Sequence, residues 1–121
     1  MPNSNKSWTI DNALAVRSRF KKIAKDHPVE FDSCMNNLHK VRKQLIDGKK
    51  LGGFKFGFFR SEGGGVYRIG QAGVPSAKEL RLYVYFYAKE NGIIYPLTIG
   101  TKETQGDDIN TAKQTVRAAI K

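Results

Sequence analysis

Arginine, lysine and tyrosine recur in this chain at spacings that would gather them on one face of a sheet. A strand over Arg81-Leu-Tyr-Val-Tyr-Phe-Tyr87 with Leu82, Val84 and Phe86 toward a core turns Arg81, Tyr83, Tyr85 and Tyr87 the other way. In Val66-Tyr-Arg-Ile69, Tyr67 and Ile69 share one side and Arg68 takes the other. Lys55 alternates with Phe54, Phe56 and Phe58, and Lys102 continues the parity of Thr98. A guanidinium fork grips two phosphate oxygens at once, and a tyrosine ring is a platform for a splayed base. The set therefore suits RNA, with Arg60 and the helical lysines Lys21, Lys22 and Lys43 as further phosphate contacts. The plainer alternative is that the tyrosines are good strand formers and Arg81 is a solubilising edge charge.

Other chemistries have less behind them. His27 and His39 lie in or beside a helical hairpin with a proline between them, which gives neither a metal pair nor a nucleophile dyad, and no zinc spacing exists. Cys34 falls on an apolar helical stripe and reads as a small buried hydrophobe. Gly63-Gly64-Gly65 lacks the Lys-Ser/Thr that would follow in a phosphate-binding loop and suits a hairpin turn instead. No pair of carboxylates is expected on the cationic face, so acid and base work falls to cations, with no metal and no cofactor.

These side chains must be positioned by one domain. The chain has 121 residues and a net charge of +10, and the charge is uneven: residues 1–60 hold 13 Lys and Arg against 5 Asp and Glu, residues 61–121 hold 8 against 6. A polyanion or an acidic protein is the partner such a surface favours. No window has the roughly 20 apolar residues of a membrane span. With one cysteine and no apolar leader, the expected setting is soluble and cytoplasmic, with no membrane partner.

The periodicity predicts the order βααββββα. Ser7–Ile10 reads as a short strand. Asp11 or Asn12 caps a helix with stripe Ala13, Val16, Phe20, Ile23 and Ala24, which Pro28 ends. A second helix carries Phe31, Cys34, Leu38, Val41 and Leu45 and stops near Gly48. Strands follow at 54–58, 66–69, 81–87 and 93–99, with Asn91-Gly92 taking positive φ in the last hairpin and Pro96 marking an edge or a bulge. Asp107 or Asp108 caps a closing helix with stripe Ile109, Ala112, Val116 and Ala119 or Ile120. The expected fold is α+β: a small antiparallel sheet with the N-terminal helical hairpin and the C-terminal helix packed on one face.

A basic helical hairpin, then Val66-Tyr-Arg68, Arg81-Leu-Tyr-Val-Tyr-Phe-Tyr87, Ile99-Gly-Thr-Lys102-Glu and a closing helix from Asp107, resembles the RelE/ParE toxin superfamily of type II toxin–antitoxin systems, in particular its HigB-like, phage-related branch. The resemblance implies a RelE-like domain over residues 1–121, a cognate antitoxin, and a metal-independent mRNA endoribonuclease acting with the ribosome. In the ParE branch it implies inhibition of DNA gyrase instead, and a plain RNA-binding module is a third reading. By position, Arg68 matches the arginine of the family's strand motif, Lys102 the basic residue after the last strand, Lys55 a lysine on the strand before, and Arg81 the arginine opening the penultimate strand. The tyrosine that RelE-type members carry early in the last helix has no counterpart in Asp107-Asp108-Ile109, leaving Tyr83, Tyr85 or Tyr87 to supply its stacking. In the mechanism this implies, Arg68 and Arg81 stabilise a phosphorane and Lys55 or Lys102 moves protons, since crowded like charges favour a neutral amine.

Overall fold

The long hairpin of the second half organises the chain. In the computed structural model, which describes residues 6–72 and 78–119, β4 (Leu80–Tyr87) and β5 (Ile93–Thr101) pair antiparallel along their whole length. Outward from β4 lie β3 (Val66–Gly70) and β2 (Phe59–Gly63), and on the far side of β5 lies β1 (Thr9–Ile10), giving the order β1-β5-β4-β3-β2. β1 runs parallel to β5, so the sheet is mixed rather than wholly antiparallel. The helices are α1 (Arg17–Asp26), α2 (Pro28–Ile46) and α3 (Gln105–Ala119).

Cross-strand partners share a face. Tyr67 and Val84, Ile69 and Leu82, Leu82 and Ile99, and Phe86 and Ile94 are paired, and these residues form one core with Ile23 of α1 and Cys34, Leu38, Val41 and Leu45 of α2. Fully burying each such aliphatic side chain contributes about 1.5–3 kcal/mol. The opposite face is also covered: Val66, Tyr83 and Leu97 pack under Ala112 and Val116 of α3. The helices therefore sandwich the sheet instead of sharing one face. The reason lies in β4, whose two sides both carry bulky residues and need cover.

Local departures have local causes. Residues 54–58 are not a strand: Leu51–Gly53 makes a 3-10 turn, and Phe54, Phe56 and Phe58 pack on the core from a loop before β2 begins at Phe59. β3 has only Val66–Gly70 to offer as a ladder, and Phe59 already pairs with Ile69. α1 starts at Arg17, later than expected, because the Asp11 carboxylate accepts from the Ala13 amide in a local turn and caps no helix. Pro28 opens α2 at its first turn, where its missing N–H costs nothing. Thr101 and Thr104 form the capping box ahead of α3, and Asp108 turns inward. In the β4–β5 turn the positive φ values fall on Glu90 and Gly92. Pro96 does mark a bulge, with Tyr83 opposite Thr98 and Val84 opposite Pro96, so that Leu97 is the extra residue. Ile120 lies outside the described residues.

The edge of β5 beyond the two-residue β1 is closed by α1. The Val16 amide donates to the Leu97 carbonyl at 2.8 Å, and Arg19 Nε donates to the Ile99 carbonyl at 3.3 Å. The same guanidinium lies 4.0 Å from the buried Asp108 carboxylate on α3, which also accepts from the Thr104 hydroxyl at 2.6 Å. Arg19 thus ties the two helical layers around the sheet edge, and Gly100 leaves the space for it. A Cβ at Gly100 would stand 1.9 Å from Asp108 Oδ2 and 2.4 Å from Thr104 Oγ1. Gly100→Ala is expected to cost about 1–3 kcal/mol of stability, read as a lower urea midpoint; an unchanged midpoint would contradict the clamp.

Candidate functional site

The register of β3 on β4 sets Arg68 beside Tyr83 and Gly70 beside Arg81, so the two arginines are diagonal neighbours on the α3 face of the sheet. Such neighbours lie about 7–8 Å apart. Arg60 on β2 is paired with Arg68 and extends the row across a third strand, exposed to solvent. At the end of β4, Leu80 pairs with Thr101, which brings Glu79 and Lys102 to neighbouring strand ends. Arg68, Gly70, Gln71, Glu79 and Arg81 line a cleft of about 140 Å³ there.

Two carboxylates enter this cluster, against the expectation of no such pair on the cationic face. Arg81 donates to Glu79 Oε1 at 2.6 Å, and Arg68 Nε lies 3.4 Å from Glu62 Oε2, with those two side chains 16% and 17% exposed. Lys78 Nζ is 2.7 Å from Glu103. The Arg81 hydrogen bond, then the charges of Arg81, Lys102 and Arg68, hold the Glu79 carboxyl below the usual carboxylate range. Lys78 and Thr101 do the same for Glu103. A half-buried guanidinium needs such partners, because an unpaired charge removed from water is costly. Glu79 was within reach of sequence reasoning, as it precedes Arg81 by two and shares its parity. Glu62 was hidden by placing the strand at 54–58.

The remaining candidates divide. Lys55 sits on the loop before β2, exposed, in a separate surface groove with Gln44 and Lys49, so it does not join the arginines. Tyr83 faces the side that parity predicts but is fully buried under α3 and offers no stacking surface. Tyr85 is half-buried against the same cluster and covered by the β2–β3 turn, where a Cβ on Gly65 would come within 2.7 Å of its ring. Tyr87 is half-buried at the opposite end of β4 from Arg81. Lys21 and Lys22 on α1 and Lys43 on α2 are exposed on the other helical layer, where Lys22 pairs with Asp26 at 3.0 Å and Lys43 with Asp47 at 3.6 Å. Exposed pairs of this kind contribute about 0.2–1 kcal/mol.

Two further groups bear on the chemistry. Burial pushes the Cys34 thiol up to about 12, which makes it a poor nucleophile. Among the described residues there is no group of three His, Cys, Asp or Glu side chains placed to hold a metal ion, and no helix long and apolar enough to cross a membrane. Comparison with family models, curated proteins and solved structures finds no match for this chain.

Tyr83 generates a direct test. Its hydroxyl is buried with no hydrogen-bond partner among the described residues, and burial first, then the Asp108 charge, pushes it up to about 12. An ordinary tyrosine ionises near 10. The folded protein keeps a proton that the unfolded chain releases, so stability is full below about pH 10 and falls as pH rises toward 12. Tyr83→Phe removes an orphaned hydroxyl at constant shape and is expected to raise stability by about 1 kcal/mol near neutrality and to abolish that alkaline loss. Urea midpoints across pH, with ultraviolet titration of the phenols, check it. Destabilisation by Tyr83→Phe would mean that the hydroxyl has a partner.

Proposed function

We propose that this protein is a toxin of the RelE/ParE kind that cleaves mRNA through the 2′-hydroxyl, its substrate presented on the ribosome and its activity held in check by a cognate antitoxin. The observation that carries the reading is the row of Arg60, Arg68 and Arg81 on three adjacent strands, with Lys102 at its end. Backbone phosphates along a single strand of RNA are the ligand such a row fits.

In this reaction hydroxide takes the proton of the 2′-hydroxyl and the 2′-oxygen attacks phosphorus. The bond to the 5′-oxygen then breaks, leaving a 2′,3′-cyclic phosphate. Arg68 and Arg81 donate to the phosphorane oxygens, whose charge exceeds that of the ground state, so their contribution falls on the barrier. The Lys102 ammonium, exposed beside them, gives the departing 5′-oxygen its proton. Lys55 has no part in this version, because it lies on another surface.

The pairing of Arg68 with Glu62 and of Arg81 with Glu79 favours a second reading. Carboxylates lower the positive field that a phosphorane needs, which suits a ParE-like gyrase inhibitor better than a nuclease. The two readings separate on one experiment: sequencing of new mRNA 5′ ends after brief expression of the wild type and of Arg68→Ala. Cleavage predicts fresh ends within translated regions for the wild type, and a loss on the order of 10²-fold in the variant, the usual effect of removing one transition-state donor. Growth arrest without fresh ends would support the inhibitor and overturn the nuclease.

A further inference from the structure

An ionised carboxylate at a phosphate site needs a reason to be there. Glu79 accepts from Arg81 and lies within the field of Lys102 and Arg68, cations that would otherwise hold a phosphodiester, and a negative charge about 4 Å from a phosphate costs about 1 kcal/mol even in water. Its geometry differs from that of Glu62. The Glu62 and Arg68 side chains are both mostly buried, as a structural pair would be, whereas Arg81 is 11% exposed and Glu79 58% exposed. Arg81 therefore holds one side of a carboxylate whose other side faces the cleft and solvent. Gln71 braces the backbone on either side of Glu79: its amide nitrogen donates to the Lys78 carbonyl at 2.8 Å, and its oxygen accepts from the Leu80 amide at 2.7 Å. From α2, Glu30 accepts from the Lys78 amide at 3.1 Å and Asn37 donates to the Gly70 carbonyl at 2.7 Å. This is the fixing expected of a group that must be presented in one place.

We propose that Glu79 reads a guanine base in the RNA, accepting from its N1–H and N2–H while Arg68 and Arg81 hold the adjoining phosphate. The assignment rests on the RNA reading above and goes beyond it in naming the base. Guanine alone among the four RNA bases presents two adjacent N–H donors on one edge, which match the two oxygens of a carboxylate. Adenine and cytosine offer one amino group beside an acceptor, and uracil offers one N–H between acceptors that the carboxylate would repel. The cation environment suits recognition better than proton removal. A carboxyl held below its usual range is a weak base, yet it stays ionised and able to accept hydrogen bonds from neutral N–H groups. The cleft, at about 140 Å³, has room for one base.

The test is fluorescence anisotropy with short 2′-O-methyl RNAs, which cannot be cleaved through the 2′-oxygen. They differ at one position, guanine, inosine or adenine, in an otherwise uridine sequence. The wild type is expected to bind the guanine strand about tenfold more tightly than the adenine strand, the discrimination of one good bidentate contact, with inosine, which lacks the N2 amino group, in between. Glu79→Gln is expected to bind the adenine strand more tightly, as a negative charge leaves, and to cut the guanine preference to within about twofold. Salt-sensitive binding with no preference among the three strands, or a preference that survives Glu79→Gln, would overturn the guanine assignment and leave the RNA reading standing. Failure of all three strands to bind at low salt would overturn both.

Discussion

The packing of α3 on Val66, Tyr83 and Leu97 is the contact on which the rest of the molecule depends. It turns what would be an open sheet face into a second core, and it leaves polar chemistry only where α3 does not reach. That region holds Arg60, Arg68 and Arg81 on successive strands, with Glu79 and Lys102 at the strand ends. Because Arg68 and Arg81 are mostly out of water, each guanidinium keeps a carboxylate beside it. The ion pairs and the site are thus consequences of the same layer arrangement.

A three-layer sandwich also needs its edge managed. β1 covers only the first two residues of β5, and the remainder is closed by Val16 and Arg19 at the start of α1. Arg19 reaches the Ile99 carbonyl on the sheet and stands 4.0 Å from Asp108 on the third layer, passing where Gly100 has no side chain. Two groups of basic residues lie on opposite sides of the sheet: the strand arginines on one, and Lys21, Lys22 and Lys43 on the helices of the other.

Much of this was legible in the sequence, to the depth that periodicity reaches. The alternation in Arg81–Tyr87 assigned each side chain to the correct face, and the element order and the bulge near Pro96 follow from local chemistry. Parity names a face, however, and does not say what covers it. The sign was present in β4 itself: Leu80-Arg-Leu-Tyr-Val-Tyr-Phe-Tyr87 is bulky on both sides, as a strand buried from two directions must be, and only Arg81 breaks the run. The phenylalanines at 54, 56 and 58 misled for a related reason. A loop that lies on a core alternates as a strand does, and among the described residues the pairing ends where β3 does, with the Gly70 amide donating to the Phe58 carbonyl, which no local pattern records. Glu79 was one step of the alternation away from Arg81. Glu62 depended on a strand boundary that periodicity placed too early.

RNA lying along the strand arginines rather than on the helical lysines would show in the salt dependence of binding. Affinity for a short single-stranded RNA, plotted against salt on logarithmic axes, is expected to fall steeply. The slope should lose about 0.7 for each phosphate contact removed, so Arg60→Gln with Lys102→Gln should reduce it by about 1.4. A flat dependence in the wild type, or a slope that responds to Lys22→Gln with Lys43→Gln and not to the strand pair, would rule out RNA on the strand arginines.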